Sequence, residues 1–104
     1  MSPELRERIE KTIGSARIVL FMKGNKNFPQ CGFSAQVVSI LRRKNVDFVD
    51  VNILADPDLR QGLKEYSNWP TFPQLYVDGK LIGGCDIVTG LEETGELDQI
   101  LATA

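Results

Sequence analysis

The 104-residue chain carries 12 basic and 14 acidic side chains, a net charge of −2, with 42% apolar and 25% charged residues. That composition predicts one soluble globular domain, residues 1–104, lacking both the basic face of a nucleic-acid binder and the roughly 18–20 consecutive apolar residues of a membrane span. It contains no histidine and two cysteines, Cys31 and Cys85, which excludes imidazole general bases, Cys-His and Ser-His nucleophile pairs, and histidine zinc sites.

Leu5, Ile9 and Ile13 are spaced for a helix, with Ser2 as cap, Pro3 at its first position and Gly14 as stop. The charged start is unlike a secretory signal and its acids are unlike a transit peptide. The expected location is therefore cytoplasmic, or an organelle matrix or stroma if a presequence has been removed. Arg17–Met22 is an unbroken run of branched and apolar residues, which predicts a strand covered on both faces. A polar loop, Gly24–Pro29, leads to Cys31 and to a second helical pattern from Gly32. There Phe33, Val37, Val38 and Leu41 share one side, and Arg42, Arg43 and Lys44 stand at the end where cations suit the helix dipole. Asp47–Val51 alternates as a second strand. Asp56 and Pro57 open a third helix carrying Leu59, Leu63 and Tyr66. Gln74–Val77 and Lys80–Ile82 flank Asp78-Gly79, a hairpin turn signal. The remainder, Asp86–Ala102, is helical in pattern and broken at Gly95; Gly90 within it costs about 1 kcal/mol relative to alanine. The order α β α β α β β α, with a short final helix, predicts a small mixed four-stranded sheet with helices on both faces. Its first two strands should be parallel and its hairpin antiparallel.

A thiol at position 31, at a helix start, meets unpaired backbone N–H groups and the positive end of the dipole, which favour the thiolate; Lys23 adds positive charge. A dithiol pair needs a second cysteine three residues on, where Ser34 stands, and a hydroxyl cannot displace a mixed disulfide. Cys31 must then work with an outside thiol, with Cys85, or with metal. A [2Fe–2S] cluster takes four thiolates in its commonest form, and one chain offers at most two. Two chains reach four with Cys31 and Cys85 of each, or with two copies of Cys31 and two small-molecule thiols. The residues by themselves leave both assemblies open.

Met22-Lys-Gly, Pro29-Gln-Cys-Gly-Phe-Ser34, Trp69-Pro-Thr-Phe-Pro-Gln74 and Gly83-Gly-Cys-Asp86 stand in this order along the chain. With this motif set the chain resembles the single-domain monothiol (CGFS-type) glutaredoxins over essentially its whole length. The resemblance implies a thioredoxin-like α/β fold and a protein that binds glutathione. It further implies a homodimer, monomeric as apo, bridged by a [2Fe–2S] cluster on Cys31 and one glutathione from each chain. The implied role is cluster transfer to iron–sulfur acceptor proteins, with BolA-type proteins as partners and weak glutathione-dependent disulfide reduction with Cys31 as catalytic nucleophile. Carried over residue by residue, Lys23 and Arg60 meet the glycine carboxylate of glutathione. Thr71, Phe72 and a cis Pro73 present the Phe72 backbone to the cysteinyl unit, although local sequence alone favours trans. Gly84, Cys85 and Asp86 hold the γ-glutamyl end, with Asp86 facing the ammonium or capping the helix. Trp69 and Phe33 read as core or site-wall aromatics. Two other functions suit the same thiol: a glutathione-dependent oxidoreductase that removes glutathione from proteins, and a redox sensor pairing Cys31 with Cys85. Many members of the family have Thr-Pro after Lys-Gly; here Asn25-Lys26 follows, which alters loop stiffness and not loop length.

Overall fold

The Ser2 hydroxyl accepts the Leu5 N–H at 3.1 Å and Pro3 occupies the first turn, so α1 (Pro3–Ile13) starts where its cap dictates. The structure, a computed structural model, describes residues 1–102. Thr103 and Ala104, the end of the predicted domain, lie outside the described residues. After α1 come β1 (Ile18–Met22), α2 (Gly32–Arg43), β2 (Val49–Asn52), a 3-10 turn at Ile53–Ala55, α3 (Pro57–Ser67), β3 (Gln74–Val77), β4 (Lys80–Gly83), α4 (Cys85–Thr94) and α5 (Glu96–Leu101).

The strands form one sheet in the order β2-β1-β3-β4, with β1 and β2 parallel and the other pairings antiparallel. All five residues of β1 are buried, as the unbroken apolar run predicts. Because successive side chains alternate faces, Ile18, Leu20 and Met22 join α2, α4 and α5 in one cluster, while Val19 and Phe21 join α1 and α3 in the other. The ring of Phe21 meets Tyr76 edge-on at 5.5 Å. Asp78 and Gly79 both take positive φ, +52° and +79°, as the two-residue hairpin turn requires. Strand β2 begins at Val49, two residues later than the alternation suggests. The Asn52 side chain then ends it by accepting the Leu54 N–H and turning the chain into the 3-10 segment.

Arg17 fastens the end of α5 to the sheet. Its guanidinium donates to the carbonyls of Leu101 (2.7 Å), Ile100 (3.2 Å) and Ala102 (2.6 Å) and pairs with Asp78 at 3.2 Å. The Asp78 carboxylate is 61% exposed, so the carbonyl bonds at the end of α5 supply most of the stabilisation. Arg17→Met is expected to lower stability by about 1–2 kcal/mol. A denaturant midpoint unchanged from wild type would contradict that role. On the same face of the sheet as α5, one guanidinium nitrogen of Arg43 donates to both Glu92 carboxylate oxygens at 2.9 and 3.2 Å, holding α2 against α4. These two helices carry Cys31 and Cys85 at their opposite, N-terminal ends.

Candidate functional site

The loop between β1 and α2 is built by its own backbone and pinned to β2. Gln30 donates its N–H to the Lys23 carbonyl at 2.9 Å, and Gly24 and Pro29 form a bridge. Lys26 donates its N–H to Asp50 at 2.8 Å and its ammonium to the Phe48 carbonyl at 3.1 Å, the same ammonium lying 4.9 Å from the Phe48 ring centre. A proline has no N–H for the Asp50 bond, so Lys26 supplies by side-chain and backbone bonding the stiffness a proline supplies covalently.

That loop delivers Cys31 to the N-cap of α2 in extended backbone (φ −152°, ψ 138°), with no acidic residue in the first turn. The positive helix end therefore faces the sulfur unopposed. The thiol is held below its ordinary pKa, first by the Ser34 backbone N–H. The Phe33 N–H, the Lys23 charge and the Ser34 hydroxyl act in the same direction, against partial desolvation that pushes it up. Ser34 is fully buried, and its Oγ accepts the Lys23 N–H at 3.1 Å. It joins the end of β1 to the first turn of α2.

Beside this thiol lies a cavity of about 730 Å³, a volume suited to a small-molecule ligand. Lys23 and Phe33 border it on the cysteine side, Arg60 and Lys64 come from α3, Trp69 to Pro73 cross from α3 to β3, and Gly84 to Ile87 open α4. Eight residues singled out from the sequence (Lys23, Arg60, Thr71, Phe72, Pro73, Gly84, Cys85 and Asp86) thus line the same cavity. Cys31 stands outside the lining itself, two residues before Phe33. The Phe72–Pro73 bond is cis.

The wall is chemically divided. Among the described residues, Lys23, Arg60 and Lys64 have no acidic partner within 4 Å. The buried Arg60 Nε and Trp69 Nε1 atoms also lack hydrogen-bond partners there. Asp86 lies in the first turn of α4; the cap is Gly84, which corrects the alternative reading of Asp86 as capping residue. Cys85 is partly buried, with Sγ 3.9 Å from the Thr89 hydroxyl, and both cysteines are free thiols. Among the described residues no three His, Cys, Asp or Glu side chains gather as a metal site. Phe33, placed with the apolar side of α2 by its spacing, is 63% exposed at the cavity edge, so it is a wall aromatic and not core. Sequence reasoning missed Lys64, although its place one helical turn after Arg60 was a usable signal.

A single thiolate-favouring cysteine opening the helix that follows an inner strand of a four-stranded mixed sheet defines a thiol protein of thioredoxin-like fold. A glutaredoxin family model matches residues 18–82. The chain is 56% identical over its full length to the chloroplastic monothiol glutaredoxin-S7 of Oryza sativa subsp. japonica, spanning 62% of that protein. It is 58% identical over 99 residues to the chloroplastic monothiol glutaredoxin-S14 of Arabidopsis thaliana, spanning 57% of it. The chain is thus shorter than two thirds of either plant relative. The solution structure of reduced apo GrxS14 from poplar superposes with a TM-score of 0.83 at 56% identity, covering 94% of this chain and 90% of that one. The chain belongs to the glutaredoxin family, among its monothiol members.

Proposed function

We propose that the chain binds glutathione in the cavity beside Cys31, and that two chains so loaded share a [2Fe–2S] cluster as cargo for iron–sulfur acceptor proteins. The observation that carries this reading is Ser34. Where a resolving thiol would stand there is a buried hydroxyl engaged with the Lys23 N–H, so Cys31 is activated but has no thiol partner within its own turn. Its complement must come from outside the segment.

Glutathione suits the divided wall. Lys23, Arg60 and Lys64 offer three cations to its glycine carboxylate. The uncapped start of α4 suits the γ-glutamyl carboxylate, and Asp86 the ammonium beside it. One Cys31 and one glutathione thiol per chain make four sulfur donors across two chains, the set a [2Fe–2S] cluster takes. The single domain spanning residues 1–104, the apo monomer and the BolA-type partner belong to the same reading. So does a location in cytoplasm, or in an organelle matrix, as the chloroplastic names of the plant relatives suggest.

Anaerobic reconstitution with iron and sulfide tests it. With glutathione present, a coloured dimer is expected; without glutathione, a colourless monomer. Equal colour in both would reject the reading. The lowered pKa of Cys31 also supports a second, weaker activity. Its thiolate attacks the glutathione sulfur of a protein–glutathione mixed disulfide and releases the protein thiolate. A second glutathione thiolate then attacks the adduct, giving glutathione disulfide and restoring Cys31.

A further inference from the structure

Gln74 opens β3 with its side chain fully buried. An amide is stable in the interior only when its donors and acceptor are engaged. Here they are. Nε2 donates to the carbonyls of Trp69 (3.1 Å) and Thr71 (3.3 Å), and Oε1 accepts the Tyr76 hydroxyl at 3.2 Å. Carbonyls only accept, so chemistry fixes which way the amide points. Burial pushes the Tyr76 hydroxyl up to about 12, which keeps its proton in place as the donor to Gln74. The Ser67 hydroxyl completes the frame: it accepts the Trp69 N–H at 3.1 Å while donating to the Leu63 carbonyl at 2.6 Å. Trp69 is therefore held at both of its backbone groups.

The consequence follows from peptide planarity. Among the described residues the cis bond is Phe72–Pro73, so the preceding Thr71–Phe72 peptide is trans. In a trans peptide the C=O and the following N–H point in opposite directions. Drawing the Thr71 carbonyl toward Gln74 turns the Phe72 N–H away from Gln74, and Thr71, Phe72 and Pro73 line the cavity while Gln74 does not. Among the described residues the Phe72 N–H has no protein acceptor. Pro70 and Pro73 have no N–H to offer, so the backbone donors from Pro70 to Pro73 are those of Thr71 and Phe72 alone.

We infer that Gln74 is a positioning residue: from beneath the wall it sets the direction of the Phe72 N–H, so that this group meets a carbonyl of an extended peptide ligand in the cavity. The identity of that ligand rests on the glutathione reading above; the direction of the N–H does not. Two measurements separate them. In the ligand-free wild type, the Phe72 amide is expected to exchange rapidly with solvent, and strong protection would mean it points inward and would overturn the assignment. In the second, 15N-labelled wild type and Gln74→Met are titrated with reduced glutathione under anaerobic conditions. Methionine keeps the length of glutamine and removes both donors. Gln74→Met is expected to bind about ten-fold more weakly, the loss of roughly one well-placed hydrogen bond. Its Phe72 amide should no longer shift on binding, while the Lys23 and Asp86 amides still do. Unchanged affinity, or a parallel loss of response at all three amides, would overturn the role. If Gln74→Met fails to fold, Tyr76→Phe, which spares both amide donors, must keep the Phe72 response; losing it would overturn the role as well. If wild type ignores glutathione entirely, the proposed function falls, and Phe72 amide exchange compared between wild type and Gln74→Met decides for or against Gln74: equal rates overturn the role.

Discussion

Cys31→Ser is expected to leave the chain colourless and monomeric after anaerobic reconstitution with iron, sulfide and glutathione, whereas Cys85→Ser takes up cluster as wild type does. The two thiols differ in setting, not in kind. Cys31 sits at a helix start whose first turn contains no acid, with the Ser34 and Phe33 N–H groups and the Lys23 charge favouring its thiolate. Metal is bound by the thiolate, and a serine hydroxyl at the same place stays protonated at neutral pH and supplies no sulfur. Cys85 lies inside the first turn of α4, beside Thr89, in a helix whose first turn already holds the negative charge of Asp86. Its expected contribution is the backbone it lends to the cavity wall, which serine reproduces. Visible absorption and mass in solution check both variants together. A coloured Cys31→Ser or a colourless Cys85→Ser would move the ligand to position 85 and revive the assembly built from both cysteines of each chain.

What the sequence makes legible here divides by range. Helix starts are decided within a few residues, so Ser2, Asp56 and the loop-then-helix pattern around Cys31 announce themselves. The strand β1 is equally plain, since five consecutive buried positions leave no alternation to interpret. Phe33 shows where local pattern stops being enough. It does share a face with Val37 and Leu41, but the first turn of α2 borders the cavity, so that face leaves the core before it leaves the helix. On α3 the apolar residues mark the buried side, while Arg60 and Lys64 gain meaning only when the Trp69–Pro73 stretch folds across from them. Gln74 is the extreme case. Nothing local marks this polar residue at the start of an apolar strand as buried, since its burial depends on the hydroxyl of Tyr76 and on carbonyls of a segment that must first fold over it. The cis bond before Pro73 likewise came from family resemblance, since nothing local to Phe72 and Pro73 disfavours trans.

Gly24→Ala is expected to destabilise the protein by about 3 kcal/mol or more, and Gly79→Ala by only about 1 kcal/mol. Both glycines hold positive φ, +87° and +79°, so the strain of placing an L side chain there is the same for each. Space separates them. A Cβ on Gly24 would lie 2.5 Å from the Phe28 carbonyl oxygen and 2.7 Å from the Gln30 nitrogen, whereas nothing lies within 4 Å of one on Gly79. The two nearest of the atoms crowding Gly24 are backbone, so rotating the Gln30 side chain does not relieve the contact. The loop itself must move, yet it is pinned by the Gly24 N–H on Asn52 (3.0 Å), the Gln30 N–H on Lys23 and the Lys26 N–H on Asp50. Yielding would break these bonds in turn, and the residue at the end of the displaced segment is Cys31. Thermal melts should show a fall of about 12–24 °C for Gly24→Ala and about 4–8 °C for Gly79→Ala. Equal falls would mean that the loop gives way freely and that the position of Cys31 is not fixed by it.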